Sequence, residues 1–213
     1  MKRSLIAAAA GATLVVALAG CGSQTDERVT PTAESSSPVL EEVAPSGQAA
    51  SAIASEIAAT PFVAIDCVSG QATGLDTAPN GTTLGPVTAS LQPTGVPTIT
   101  LATDAPPATE LGIADVSEGS GAEAQAGDTL TVNYCGVGLG TKALFDSSWT
   151  RGEPATFPLD GVIAGWQQGV PGMKVGGTRL LVIPGELGYG EQGTQGIPPN
   201  ETLDFVVQLE SIG

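Results

Sequence analysis

The chain has 213 residues, enough for one well-packed domain with extensions but short for two. A formal net charge of −15 excludes nucleic acid and anionic lipid headgroups as electrostatic ligands. With no histidine and three scattered cysteines, no metal site or histidine-activated nucleophile can be assembled, and no cofactor is expected.

Met1-Lys2-Arg3 is a basic start, and Leu5 to Ala19 is an apolar run too short to span a bilayer. The run ends in Leu18-Ala19-Gly20-Cys21, small residues before a cysteine, as in a bacterial lipobox. Cleavage after Ala17-Leu18-Ala19 in ordinary secretion is the competing reading, and Cys21 favours the lipobox. The expectation is a lipoprotein signal peptide over 1–20 and an acylated Cys21. That lipid would hold the protein on the bilayer, at the extracytoplasmic side of a bacterial cell membrane. Loss of Lys2 and Arg3 would leave five basic against 22 acidic residues, a net −17.

Residues 21–60 are rich in Ser, Ala and Pro and lack aromatics, so they cannot bury enough apolar surface to offset ordering entropy. They read as a flexible tether, with a marginal helical turn around Ala49 to Ala58. Residues 61–94 hold a strand-like run at Phe62 to Val68 and one further short strand over Thr82 to Leu91, interrupted by Gly and Pro. This piece is too small for a domain of its own and is expected to dock on the main domain.

Residues 95–213 are read as that main domain. Phe62 is the one aromatic residue before Tyr134, so the core belongs in the last part of the chain. Pro97 to Leu101, Leu111 to Val116, Asp128 to Tyr134, Thr178 to Ile183 and Thr202 to Leu209 carry strand patterns. In the third of these Leu130, Val132 and Tyr134 share a face; in the last, Leu203, Phe205, Val207 and Leu209 do. Ala164 to Met173 is the one helical stretch, stopped by Pro171-Gly172. The predicted class is α+β, a short-stranded antiparallel sheet around one short helix.

Six blocks stand out in this region: Val132-Asn133-Tyr134, Phe145-Asp146-Ser147-Ser148, Val162-Ile163-Ala164-Gly165-Trp166, Met173-Lys174-Val175-Gly176, Tyr189-Gly190, and Gly196-Ile197-Pro198-Pro199-Asn200 with Leu203-Asp204-Phe205. In that order they resemble an FKBP-type peptidyl-prolyl cis-trans isomerase domain, whose fold is a twisted antiparallel sheet wrapped round one short helix. The resemblance implies a hydrophobic pocket for a proline side chain. Trp166 would form its floor, and Tyr134, Phe145, Val162, Ile163 and Phe205 its walls. The Ile163 N–H would hold a substrate carbonyl, Asp146 and Tyr189 would supply polar contacts, and Ile197 would lie on a loop over the rim. Arg151 would orient the Asp146 carboxylate. Phe157 ends a segment, Pro154-Ala155-Thr156-Phe157, that in the family carries a second aromatic, so Ala155 removes one wall. Asp160-Gly161 and Thr194 also depart from the family pattern.

The resemblance implies an isomerase, or rotamase, acting on proline-containing unfolded or exported proteins as they fold. The alternative is a non-catalytic binding module or chaperone that uses the same groove, a reading Ala155 favours. A purely structural lipoprotein leaves the clustered aromatics unexplained. Finally, with Cys21 lipidated, Cys67 and Cys135 are the remaining thiols, in a compartment that permits disulfides. Cys135 shares the strand face opposite Leu130, Val132 and Tyr134, where the 61–94 piece could dock. A Cys67–Cys135 disulfide is expected, against the alternative of two free thiols.

Overall fold

The computed structural model describes residues 60–213. The expected signal peptide over 1–20, Cys21 and the tether up to residue 59 lie outside the described residues.

The sheet that carries the site contains β6 (Gly112–Ser117), β7 (Thr129–Gly138), β8 (Ala143–Ser147), β9 (Ala155–Pro158), β10 (Thr178–Ile183) and β11 (Leu203–Ile212). Its order is β6-β10-β11-β7-β8, all antiparallel, with β9 also paired to β7. Two short helices accompany it, α1 (Ser148–Arg151) and α2 (Ala164–Gly169). This is the α+β class expected from the sequence. Helix α2 is shorter than the expected 164–173 stretch, and after its last residue Val170 N donates to Trp166 O at 2.9 Å. It lies very close to β10. A Cβ on Gly165 would sit 2.4 Å from Ile183 Cγ2, so only glycine allows that approach.

Between α2 and the sheet lies a core that includes Leu130, Val132, Trp166, Leu181, Ile183, Leu203, Phe205, Val207 and Leu209. The β7 and β11 alternation predicts this face, and each buried aliphatic here contributes about 1.5–3 kcal/mol of transfer free energy.

The other face is not solvated. A second sheet covers it: β1 (Phe62–Asp66), β2 (Ala72–Leu75), β3 (Thr82–Leu84), β4 (Val87–Leu91) and β5 (Pro97–Ala102), in the order β2-β1-β5-β4-β3. Val63, Ile65, Cys67, Val87, Ala89, Ile99 and Leu101 pack there against Cys135, Val137, Leu139, Leu180, Val182 and Val206. Every residue of β10 is therefore buried, which is why Leu180-Leu181-Val182-Ile183 is continuously apolar.

Two boundaries differ from the sequence reading. Pro97–Ala102 does not open the main domain at residue 95; it pairs with β1 and β4 inside the first sheet. Alternation marks a strand without naming its partner. The single strand expected over Thr82 to Leu91 is a hairpin, β3 and β4, turning at Gly85-Pro86. Cys67 and Cys135 are joined as a disulfide, with Cα atoms 5.7 Å apart and a sequence separation of 68.

Candidate active site

Strand β7 has two partners in succession along one edge. Thr129 to Val132 pair with β9, and Cys135 to Gly138 pair with β8. Asn133 and Tyr134 fall in the gap. There the Tyr134 N–H donates to Ser148 Oγ at 2.9 Å, and Ser148 Oγ donates to Asn133 Oδ1 at 2.9 Å. A hydroxyl from α1 thus replaces the missing ladder bond.

On β8 the register slips, so that Asp146 faces Gly136 and Leu144 faces Val137 with Phe145 left between them. A bulge of this kind re-aims side chains. Leu144 packs toward the sheet–sheet core while Phe145 joins the core on the other face. Phe145 and Asp146 consequently reach the same cavity.

That cavity has a volume of about 490 Å³, within the range of small-ligand clefts. Of the eleven residues named from the resemblance as catalytic or substrate-binding, it is lined by nine: Tyr134, Phe145, Asp146, Phe157, Val162, Ile163, Trp166, Tyr189 and Phe205. Gly161, noted in the sequence only as part of a departure from the family pattern, is a tenth lining residue. Trp166 and Phe205 are 3% and 4% exposed and form the closed end, whereas Tyr189 is 41% exposed at the open side. Five edge-to-face contacts hold the ring cluster, the widest between Tyr134 and Phe157 at 6.3 Å. Trp166 meets Phe205 at 5.3 Å, Phe157 at 5.4 Å and Tyr134 at 5.6 Å, and Phe145 meets Phe205 at 5.4 Å between centroids. The buried Trp166 indole N–H has no hydrogen-bond partner among the described residues. Ala155 pairs with Val132 and does not line the cavity.

The polar groups form a closed triangle. The Tyr134 hydroxyl donates to Asp146 Oδ2, Arg151 donates through Nη1 to Asp146 Oδ1, and Arg151 Nη2 donates to Tyr134 Oη at 2.9 Å. The guanidinium also stands 5.4 Å from the Tyr134 ring centroid. Arg151 does not line the cavity; it fixes the two groups that do. The Arg151 and Asp146 side chains are 42% and 44% exposed, so the ion pair is worth no more than about 1 kcal/mol of stability. Its effect is on position. Burial, and then the hydrogen bond to Asp146, raise the Tyr134 phenol above its ordinary pKa.

Ile197 is not on the rim. It is 6% exposed and packs into the core with Trp166, because reciprocal 2.9 Å backbone bonds to Thr194 fold the loop inward. Its neighbours Pro198 and Pro199 line a separate open depression with it. Gly136 escaped the sequence reading; only its place beside Tyr134-Cys135 could have drawn notice. A Cβ there would lie 2.6 Å from both Phe145 Cζ and Phe205 Cε1.

The site is thus an apolar cleft with aromatic walls and a few oriented polar groups, the shape and lining of a pocket that encloses an apolar group. Residues 121–210 match the family described as FKBP-type peptidyl-prolyl cis-trans isomerase. The chain is 52% identical over 111 residues to the FK506-binding protein of Streptomyces anulatus, covering 50% of this chain and 89% of that protein. It is 50% identical over 102 residues to a probable FK506-binding protein of Corynebacterium glutamicum, covering 48% and 86%. A crystal structure of FkpA from Escherichia coli aligns at 42% identity with a TM-score of 0.46, over 58% of this chain and 51% of that one. The chain belongs to the FKBP-type peptidyl-prolyl cis-trans isomerase family, and its activity is peptidyl-prolyl cis-trans isomerisation.

Proposed function

We propose that this cavity is the isomerase site and that the protein assists the folding of exported proteins while lipid-anchored at the outer face of the cytoplasmic membrane. The observation that carries the site assignment is the convergence of nine separately placed residues on one apolar cavity beside the Tyr134–Asp146–Arg151 triangle.

Rotation about an X-Pro bond faces a barrier of ~18–20 kcal/mol because the planar amide is resonance-stabilised. At the twisted transition state the nitrogen lone pair leaves conjugation and the amide loses charge separation. A dry aromatic cleft suits that state better than water does, while the planar ground state loses hydration on entering it. The rate gain comes from differential binding alone. In this reading the proline ring packs on Trp166 between Tyr134 and Phe205. The Ile163 N–H, at the N-cap of α2, holds the preceding carbonyl, and Asp146 with Tyr189 orients the peptide. Asp146→Ala is expected to lower kcat/KM in a proline-limited refolding assay roughly tenfold or more, with a small loss of stability, since a hydrogen bond to a charged group is worth about 1.5–3 kcal/mol. An unchanged rate would remove Asp146 from the mechanism.

Support for the exported setting is the Gly20-Cys21 junction after an apolar run, together with a disulfide, a bond typical of oxidising compartments. Clients would be proline-containing chains still folding outside the cytoplasm. Cys21→Ser is expected to release the protein from washed membranes or leave an uncleaved precursor. An unchanged membrane-bound fraction would count against the anchor.

A further inference from the structure

The turn joining β1 to β2 touches the segment that carries the polar triangle. Ser147 Oγ donates to the Cys67 carbonyl at 2.7 Å, in a buried position. Thr150 Oγ1 donates to the Val68 carbonyl at 3.0 Å and lies 3.4 Å from the Cys67 carbonyl. Ser147 directly follows Asp146, and Thr150 directly precedes Arg151. The two hydroxyls therefore anchor the Asp146–Arg151 segment near both of its ends, each next to one member of the ion pair.

The accepting carbonyls are themselves held firmly. Asp66 Oδ1 accepts from the Val68 N–H at 3.1 Å, the Ser69 N–H at 2.8 Å and the Ser69 hydroxyl at 2.8 Å. Gln92 Nε2 donates to Asp66 Oδ2 at 3.0 Å, linking the turn to the end of β4. Cys67 is bonded to Cys135, whose register partner on β8 is Ser147. Gly70 holds φ +67°, and a Cβ there would lie 3.2 Å from Leu144 Cδ2, so the turn also rests on β8. By contrast, α1 is a single turn without a side-chain cap, too short to fix itself. Ser148 Oγ ties its first residue to β7, and the half-exposed ion pair adds no more than about 1 kcal/mol to that hold.

We propose that Ser147 and Thr150 are positioning residues for the isomerase reaction, through which the first sheet, outside the matched family region, sets the geometry of Asp146, Arg151 and Tyr134. The inference rests on the reading of that triangle as part of the isomerase site. It assigns the first sheet a catalytic consequence beyond its packing.

The test uses the full chain and four variants. Thr150→Val removes an exposed hydroxyl while keeping the shape, and Thr150→Ser restores it. Ser147→Ala removes the buried donor, and Asp146→Ala reports on the site itself. Thr150→Val and Ser147→Ala are each expected to lower kcat/KM roughly three- to tenfold, the worth of one hydrogen bond, with the loss mainly in kcat. Thr150→Ser should stay near the parent rate. The Tyr134 phenol, one of two tyrosines, should titrate differently from the parent in Thr150→Val by ultraviolet titration, because its contacts with Asp146, which raises its pKa, and Arg151, which lowers it, loosen. If Ser147→Ala does not fold, Thr150→Val decides alone. Parent-like activity and titration in Thr150→Val, with Asp146→Ala impaired, would overturn the positioning role and leave the site standing. Equal losses in Thr150→Val and Thr150→Ser would overturn it too. Full activity in Asp146→Ala would remove the site reading, and this inference with it.

Discussion

A methyl group on Gly136 would be pressed between the rings of Phe145 and Phe205, 2.6 Å from each, on a strand whose backbone is locked by two neighbours. Gly136→Ala is therefore expected to cost about 1–3 kcal/mol by overpacking and to push the two rings apart. Urea unfolding midpoints and isomerase rates should fall together. Trp166→Ala acts in the opposite sense, emptying the closed end of the cleft at a cost of about 3–5 kcal/mol. A parent-like urea midpoint in either variant would contradict this packing. At this scale the sequence was legible wherever a large side chain had to be present: Tyr134, Phe145, Trp166 and Phe205 all reach the cavity. It was silent where the requirement is for an absence, as at Gly136. Ser147 and Thr150 were hidden for another reason, since they donate to the Cys67 and Val68 carbonyls, 80 and 82 residues earlier in the chain. Ile197 was misplaced because a loop's direction depends on its own backbone bonds, here those with Thr194.

Among the elements, the first sheet gains its attachment from a buried apolar seam and one covalent bond. The Cys67–Cys135 bridge spans a sequence separation of 68, and closing a loop of that size is worth about 4 kcal/mol in the chain-entropy account. Replacing both cysteines by serine should lower the unfolding free energy by up to that amount. Oxidised parent and double variant compared by urea melts would show it, and superposed melts would mean the bridge adds nothing to the seam. Strand periodicity found β10 at its true limits and located β7 and β11, because alternation reflects directly which residues face a core, but it ended β7 at Tyr134 instead of Gly138 and β11 at Leu209 instead of Ile212. It could not assign β5 to a sheet, since Pro97–Ala102 would alternate in the same way in either one. The split of Thr82 to Leu91 into two strands was carried by Gly85-Pro86, a turn signal inside what looked like a single run.

For the molecule as a whole, the joining of two sheets leaves one acid in an unusual place. Asp204 pairs with Val137 and Val182, both residues of the seam, and is 0% exposed. Neither of its carboxylate oxygens has a hydrogen-bond partner among the described residues. Desolvation raises its pKa well above 3.8, opposed by the nearby Lys142 ammonium and reinforced by Glu201. Lys142 cannot neutralise it fully, being drawn also toward Glu201 and Asp104 and donating to the Leu139 carbonyl. Above pH 3.8 the unfolded chain releases this proton, while the native chain keeps it up to the raised pKa, so the native state binds more protons. Stability must then fall as pH rises through that window. Asp204→Asn keeps the shape and removes the titration. Its unfolding free energy should lack this decline, exceeding the parent's increasingly as pH climbs from about 4 toward the raised pKa. Each kcal/mol recovered would lift Tm by roughly 2–4 °C for a chain of this size. Thermal melts of both proteins across that range would decide it, and parallel pH profiles would mean that Asp204 is already ionised and compensated within the seam.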